Sequence, residues 1–131
     1  MKRNLILAHD LGTSSNKAVL LDERGTLLAA ASATVPTQAP EQGFAEQVPH
    51  DRWSAVVEAT TAVMSAASAQ RDEVRALSFT GQMQATLPVD SMGRPLMRSM
   101  IWLDTRAKQQ AREVTRGTIR VFGYGLTRLA R

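Results

Sequence analysis

The stretch that most restricts how this chain can fold is Leu5-Ile6-Leu7-Ala8-His9-Asp10-Leu11-Gly12-Thr13-Ser14-Ser15-Asn16-Lys17-Ala18-Val19-Leu20-Leu21. Two apolar runs flank a short polar turn, which reads as two strands joined by a tight connection. The turn and its margins hold one carboxylate, one glycine, three consecutive hydroxyls and one lysine. That inventory suits a polyphosphate. Gly12 lets the backbone turn tightly and approach a ligand closely. The amides of Thr13, Ser14 and Ser15 can form a concave nest for phosphate oxygens. Asp10, at the strand end, can hold Mg²⁺ directly or through water, since Mg²⁺ favours carboxylate and retained waters over a full protein cage. An ordinary polar hairpin turn is the plain alternative. The stretch has neither the G-x-x-x-x-G-K-[ST] spacing of a Walker A loop nor a G-x-G-x-x-G fingerprint.

The rest of the chain reads as an α/β domain. Strands are expected over 3–9, 16–22 and 26–34, antiparallel in sequence order, with Asp22-Glu23-Arg24-Gly25 as a hairpin turn and Gly25 free to take positive φ. Residues 35–49 carry Pro36, Pro40, Gly43 and Pro49 and read as a long irregular loop. Pro49-His50-Asp51-Arg52-Trp53 opens a helix, with His50 or Asp51 near the N-cap. Trp53, Val56, Val57, Thr60, Val63, Met64 and Ala67 recur at helical spacing, which makes Trp53 and Met64 core candidates. The helix ends within 66–72. Val74 to Phe79 is the next strand, parallel to the first after a helical crossover. A short strand follows over 86–90, a turn over 91–94 and a strand ending near Trp102. Asp104 or Thr105 caps a helix through about Val114. Gly117, Gly123 and Gly125 leave the tail without an assignment.

A chain of 131 residues is about one domain. It has no cysteine, which excludes disulfides, a thiol nucleophile and Cys-based metal sites and fits a reducing cytoplasm. The apolar run after Met1-Lys2-Arg3-Asn4 is too short for a secretory leader, and no run approaches the ~18 apolar residues of a membrane span. Net charge is +4, with Arg106, Lys108, Arg112, Arg116, Arg120, Arg128 and Arg131 crowding the end. These cations are spaced, with few aromatics between them, so a solvated helix face or a protein-packing surface is the reading. Nucleic acid and membrane are not expected partners. His9 lies in an apolar run and reads as a core residue, and His50 lies beside a helix start. Two isolated histidines do not make a metal site.

Asp10-Leu11-Gly12-Thr13-Ser14-Ser15-Asn16-Lys17 resembles the first phosphate motif of the FGGY carbohydrate kinases, which belong to the actin/hexokinase/Hsp70 superfamily. Taken alone it leaves actin-like ATPases open. Three further segments narrow it. Gly43-Phe44-Ala45-Glu46-Gln47 followed by Trp53 is similar to the family's G-[WY]-[AV]-E-[QH]…W segment. Phe79-Thr80-Gly81-Gln82-Met83-Gln84 is similar to the xylulokinase-like S-G-Q-M-H, departing from it at Gln84, where histidine is usual. Ile101-Trp102-Leu103-Asp104-Thr105-Arg106 is similar to W-x-D-x-R.

The resemblance implies a partial actin-like (ribonuclease H-like) lobe whose mixed sheet opens with an antiparallel meander and continues through a helix crossover. Residues 1–115 would form that part of the lobe, and 116–131 its truncated continuation. It implies ATP and Mg²⁺ as cofactors and a sugar, of the pentulose class, as phosphoryl acceptor. Gly12, Thr13, Ser14, Ser15 and Lys17 would hold nucleotide phosphate and Asp10 the metal; an outward-facing strand lysine is the alternative for Lys17. Gln82, Met83, Gln84, Trp102 and Asp104 would hold the sugar. Gln82 and Gln84 offer amide donors and acceptors suited to hydroxyls, Trp102 an aromatic face, and Asp104 with Arg106 hydrogen bonds around the site. A core tryptophan, a helix cap and a surface arginine are the alternatives for the last three. The second lobe, which in the family supplies adenosine binding and the catalytic aspartate, has no counterpart here, so no catalytic residue is expected in the chain. The competing function is a catalytically inactive phosphate- or sugar-binding half-lobe.

Overall fold

The computed structural model describes residues 2–115, 120–121 and 124–125. Its centre is a four-stranded sheet in the order β3-β2-β1-β5, built from β1 (Leu5–Leu11), β2 (Ser15–Asp22), β3 (Leu27–Thr34) and β5 (Val74–Gly81). The first three strands form an antiparallel meander, and β5 runs parallel beside β1. Both relations agree with the sequence reading. The turn Asp22 to Gly25 is closed by Gly25 N donating to Asp22 O at 3.0 Å, with Gly25 at φ +82°.

Strand periodicity sorts the sheet into two faces. Leu5, Leu7 and His9 of β1, Asn16, Ala18 and Leu20 of β2 and Ala33 of β3 are buried on one of them. Helix α1 (Pro49–Ala66) covers that face with Ala55, Ala59 and Val63. The expected helical face differs. Trp53 is 65% exposed and Val57 48% exposed, so Trp53 is not a core residue, while Met64 and Ala67 pack at the core margin. Between helix and sheet, Leu5, Leu7, Leu20 and Val63 pack among small residues, Ala18, Ala29, Ala31 and Ala33 of the sheet and Ala55 and Ala59 of the helix. Asn16 Nδ2 reaches the helical carbonyl of Ala55 at 3.2 Å.

The helix boundaries agree with expectation: α1 opens on Pro49 and ends at Ala66. The N-cap is Val48, with Pro49 in the first turn, where its missing N–H costs nothing. His50 and Asp51 lie in the first helical turn, next to the N-cap as expected. At the other end Ser68, at φ +46°, takes the place usual for a capping glycine, and Arg3 braces the exit, its Nη1 donating to Ala67 O at 3.1 Å and its Nη2 to Ser68 O at 2.9 Å.

Two short ladders organise the remainder. β4 (Glu46–Gln47) pairs antiparallel with β6 (Ser99–Met100), so the expected 35–49 loop ends in a strand. The expected 86–90 strand is reduced to isolated bridges, Thr86 with Met100 and Val89 with Pro95. α2 (Lys108–Thr115) begins after Asp104 and Thr105 rather than on them, with Lys108 N donating to Thr105 O. A last ladder joins β7 (Arg120–Val121) to β8 (Tyr124–Gly125). The rest of the expected 116–131 continuation lies outside the described residues. No helix among the described residues is long and apolar enough to cross a membrane.

Candidate functional site

The β1–β2 turn is held from behind through its carbonyls. Arg52 Nη2 donates to Gly12 O at 3.0 Å, Gln47 Nε2 to Thr13 O at 2.6 Å and Val35 N to Ser14 O at 2.9 Å. With those oxygens drawn inward, no hydrogen bond among the described residues uses the amides of Thr13 and Ser14. A backbone whose carbonyls are tied down and whose amides are free is what an anion nest requires. Gly12 is needed for compactness: a Cβ there would meet Ser15 O at 3.1 Å.

Asp10 stands opposite Lys17 in the β1–β2 register and opposite Thr80 of β5. Its Oδ2 lies 3.7 Å from Lys17 Nζ, and both side chains are exposed by about half, 45% for Asp10 and 64% for Lys17. One carboxylate, one lysine and the nest therefore share a single patch at the strand ends. Among the described residues no group of three His, Cys, Asp or Glu could hold a metal. Asp10 alone fits Mg²⁺, which is commonly held by one or two carboxylates together with substrate phosphates, and it does not fit a metal that demands a full protein cage.

Beside this patch, Thr13, Gln82, Met83, Gln84 and Trp102 line a hollow of about 350 Å³, within the range of small-molecule sites. The β1–β2 turn thus contributes a wall, through Thr13, to the cavity expected for sugar. Gly81 brings the loop in. It lies against Leu11, where an added Cβ would meet Leu11 O at 3.2 Å, and the next amide, Gln82 N, donates to that same oxygen at 3.0 Å. Gln84 holds φ +61°, a conformation costly for a residue other than glycine and concentrated at functional sites. Trp102 is 53% exposed and not a core residue; its indole lies at the hollow with Nε1 donating to Thr13 Oγ1 at 3.0 Å.

Asp104 is placed differently from the other expected sugar residues. It does not line the hollow. Its Oδ2 accepts from Ala45 N at 2.9 Å and from Arg106 Nη2 at 2.6 Å. Arg106 Nη2 also pairs with Glu46 Oε1 at 2.5 Å, and its guanidinium lies 3.6 Å over the Phe44 ring. The hydrogen bond from Arg106 holds the Asp104 carboxyl at about 2, and both carboxylates push the Arg106 pKa up. This cluster clips the 43–47 segment to the 99–106 segment and thereby fixes the turn that carries Trp102.

Sequence reasoning assigned no role to Gln47 and Arg52. Gln47 is fully buried, with all four capacities of its amide filled: Nε2 donates to Thr13 O and Thr37 Oγ1, and Oε1 accepts from Arg52 Nε at 2.9 Å and Gln82 Nε2 at 3.1 Å. Partial burial lowers the Arg52 pKa. Gln47 sat inside the quoted Gly43–Gln47 segment, yet nothing local marks it as the hub of contacts made across the fold. His9 is a core residue as expected, between Asn16 and Thr60 and stacked 5.3 Å from Phe79.

Comparison with known proteins agrees with these motifs. Residues 5–129 match the model of the FGGY family of carbohydrate kinases, N-terminal domain. A xylulose kinase of Lactococcus lactis is 33% identical over 111 residues, covering 84% of this chain and 22% of that protein. A glycerol kinase of Rhodospirillum centenum is 35% identical over 106 residues, covering 80% of this chain and 21% of that protein. Among solved structures, a xyloylose kinase from Brucella ovis superposes with a TM-score of 0.80 at 33% identity, over 86% of this chain and 24% of that one. The chain thus spans about a fifth of the length of the curated relatives it matches, which have 22% and 21% of their length covered. The antiparallel meander with a parallel fourth strand is the opening of the actin-like ATPase fold that these sugar kinases share. The chain belongs to the FGGY family of carbohydrate kinases and matches its N-terminal domain.

Proposed function

We propose that this chain is the phosphate- and sugar-binding part of an ATP-dependent carbohydrate kinase, which transfers the γ-phosphoryl group of ATP to a sugar hydroxyl, with a pentulose as the substrate class. The observation that carries the reading is the contiguity of two half-sites: a turn with free amides beside Asp10 and Lys17, sharing Thr13 with a hollow that Gln82, Gln84, Met83 and Trp102 complete. Phosphoryl transfer needs positioning and charge neutralisation more than covalent chemistry. The amides of Thr13 and Ser14 bind phosphate oxygens, with Gly12 and Ser15 bounding the turn. Lys17 adds positive charge at its edge. Asp10 is the one carboxylate there to hold Mg²⁺, which would supply charge neutralisation at the phosphates. In the hollow, Gln82 and Gln84 orient hydroxyls, Met83 and the Trp102 ring cover the C–H side of the sugar, and Asp104 acts at one remove by fixing the turn that carries Trp102.

On its own the 131-residue chain is expected to bind rather than turn over. A phosphoryl-transfer cleft must exclude water, and this hollow is open, with Met83 78% and Trp102 53% exposed. The test is calorimetric titration of the chain with ATP in the presence and absence of Mg²⁺, alongside ADP release with D-xylulose or glycerol. Binding should be at least tenfold tighter with Mg²⁺, Asp10→Asn should abolish that difference, and ADP release should stay at the level of a boiled control. Retained Mg²⁺ dependence in Asp10→Asn overturns the metal assignment, and sugar-dependent turnover overturns the division between binding and catalysis.

A further inference from the structure

The hydrogen bonds around Thr13 form a directed ring. Tryptophan and arginine side chains can only donate, and one of each stands at either end. Because Trp102 Nε1 donates to Thr13 Oγ1, the Thr13 hydroxyl has its single proton left for Gln82 Oε1, at 3.0 Å. Gln82 therefore turns its Nε2 to Gln47 Oε1, which Arg52 Nε also holds. Gln47 Nε2 then returns to Thr13 O and closes the ring on the residue where it began. Every direction is dictated by the two donor-only ends.

We propose that the Thr13 hydroxyl is a latch through which an anion on the β1–β2 turn raises the affinity of the hollow for a polyol. This inference rests on the proposed binding of phosphate at the turn and sugar in the hollow. A hydroxyl donates one hydrogen bond. An ionised phosphate oxygen is the stronger acceptor, since charge-assisted bonds are roughly twice as strong as neutral ones. When Thr13 turns its proton to phosphate, Gln82 Oε1 is released. Gln82 stays in place through its main-chain amide on Leu11 O and its Nε2 on Gln47. The freed oxygen, on the wall of the hollow, becomes an acceptor for a sugar hydroxyl. The Thr13 oxygen keeps accepting from Trp102, so the wall is not dismantled. In the absence of phosphate the same oxygen is occupied. The site thus binds polyol well only when the phosphoryl donor is already present, and linkage requires the converse to hold by the same factor. Thr13 is here a positioning residue for the hollow as well as part of the turn.

The experiment measures D-xylulose and glycerol affinity by calorimetry with and without saturating Mg²⁺–AMP-PNP, on the 131-residue chain and on its Thr13→Val and Thr13→Ser variants, each checked for folding by circular dichroism. The wild-type chain should bind polyol at least fivefold tighter with the nucleotide, the low end of ordinary coupling factors. Thr13→Val, which has no proton to move, should bring the factor within twofold of unity. Thr13→Ser should restore it. The Trp102 indole N–H resonance, observed in a Trp53→Phe background, should shift in Thr13→Val without any ligand. A purely structural role for Thr13 would lower affinities and leave the factor unchanged, and that result overturns the latch. Binding of nucleotide without any binding of polyol overturns it as well. Binding of neither ligand to any variant overturns the kinase reading itself, and the latch with it.

Discussion

Replacing Gln47 with leucine tests how the candidate site is held. Leucine matches the size of glutamine without its amide, so the change removes four hydrogen bonds of 2.6 to 3.1 Å and leaves no large void. The partners are not equivalent. Thr37 is exposed and turns to water, whereas the Thr13 turn, Arg52 and Gln82 are only partly exposed. A net hydrogen bond contributes about 1 kcal/mol, and a stranded buried group costs about 1–3 kcal/mol. Three partly shielded partners at the low end of that range give about 3–4 kcal/mol, from which burying the leucine's apolar surface removes about 1 kcal/mol. The expected loss is therefore about 2–3 kcal/mol, a large share of the ~5–15 kcal/mol that holds a domain of this size together. At about 3–5 °C per kcal/mol this lowers Tm by roughly 6–15 °C. Urea unfolding followed by far-UV circular dichroism reads the loss, with Thr37→Ala as the control at about 0.5 kcal/mol or less. A Gln47→Leu chain within 0.5 kcal/mol of wild type would refute the view that this buried amide anchors the β1–β2 turn.

Two further outcomes are expected. Trp102→Ala should weaken D-xylulose binding about tenfold or more, while costing under about 1.5 kcal/mol of stability because the ring is half exposed; Trp102→Phe, which keeps the ring and loses the N–H, should recover most of the affinity. Loss of nucleotide binding with polyol binding intact would reverse the assignment. For pH, Asp104 and Glu73 are held at about 2 by Arg106 and Arg3, below ordinary values of 3.8 and 4.5. The folded state then binds fewer protons than the unfolded chain, so this stabilisation is complete above pH ~4.5 and drains as pH falls towards 2. The urea midpoint should drop across that window, and the double variant Asp104→Asn, Glu73→Gln should show a shallower drop; an unchanged slope would contradict the assignment.

Much of the architecture was legible because it is local. The strand-turn-strand opening, the hairpin at Gly25, the helix after Pro49 and the parallel return at β5 each follow from periodicity and turn chemistry within a few residues. The motif residues were legible as chemical types, and Thr13, Gln82, Met83, Gln84 and Trp102 do line one hollow. The face of α1 was not legible, since period tells which residues share a side but not how close the opposing sheet stands. Asp104 could be read as a sugar ligand or a helix cap; its pairing with Arg106 is local, two residues on, but its engagement by Ala45 depends on a segment 59 residues away.

What the sequence alone determined is therefore the list of elements, the order of the strands that are neighbours in the chain, and the presence of a turn rich in amides and hydroxyls beside a carboxylate. What only the tertiary structure decided is which of those groups meet. Gln47 reaches Thr13 across 34 residues, Gln82 reaches Gln47 across 35, and Trp102 reaches Thr13 across 89. Sequence spacing carries no information about such encounters. They arise because packing α1 on the sheet and laying β5 beside β1 brings three loops to one end of the sheet. There each buried polar group must find a partner, and the donor-only side chains leave a single way to satisfy them all.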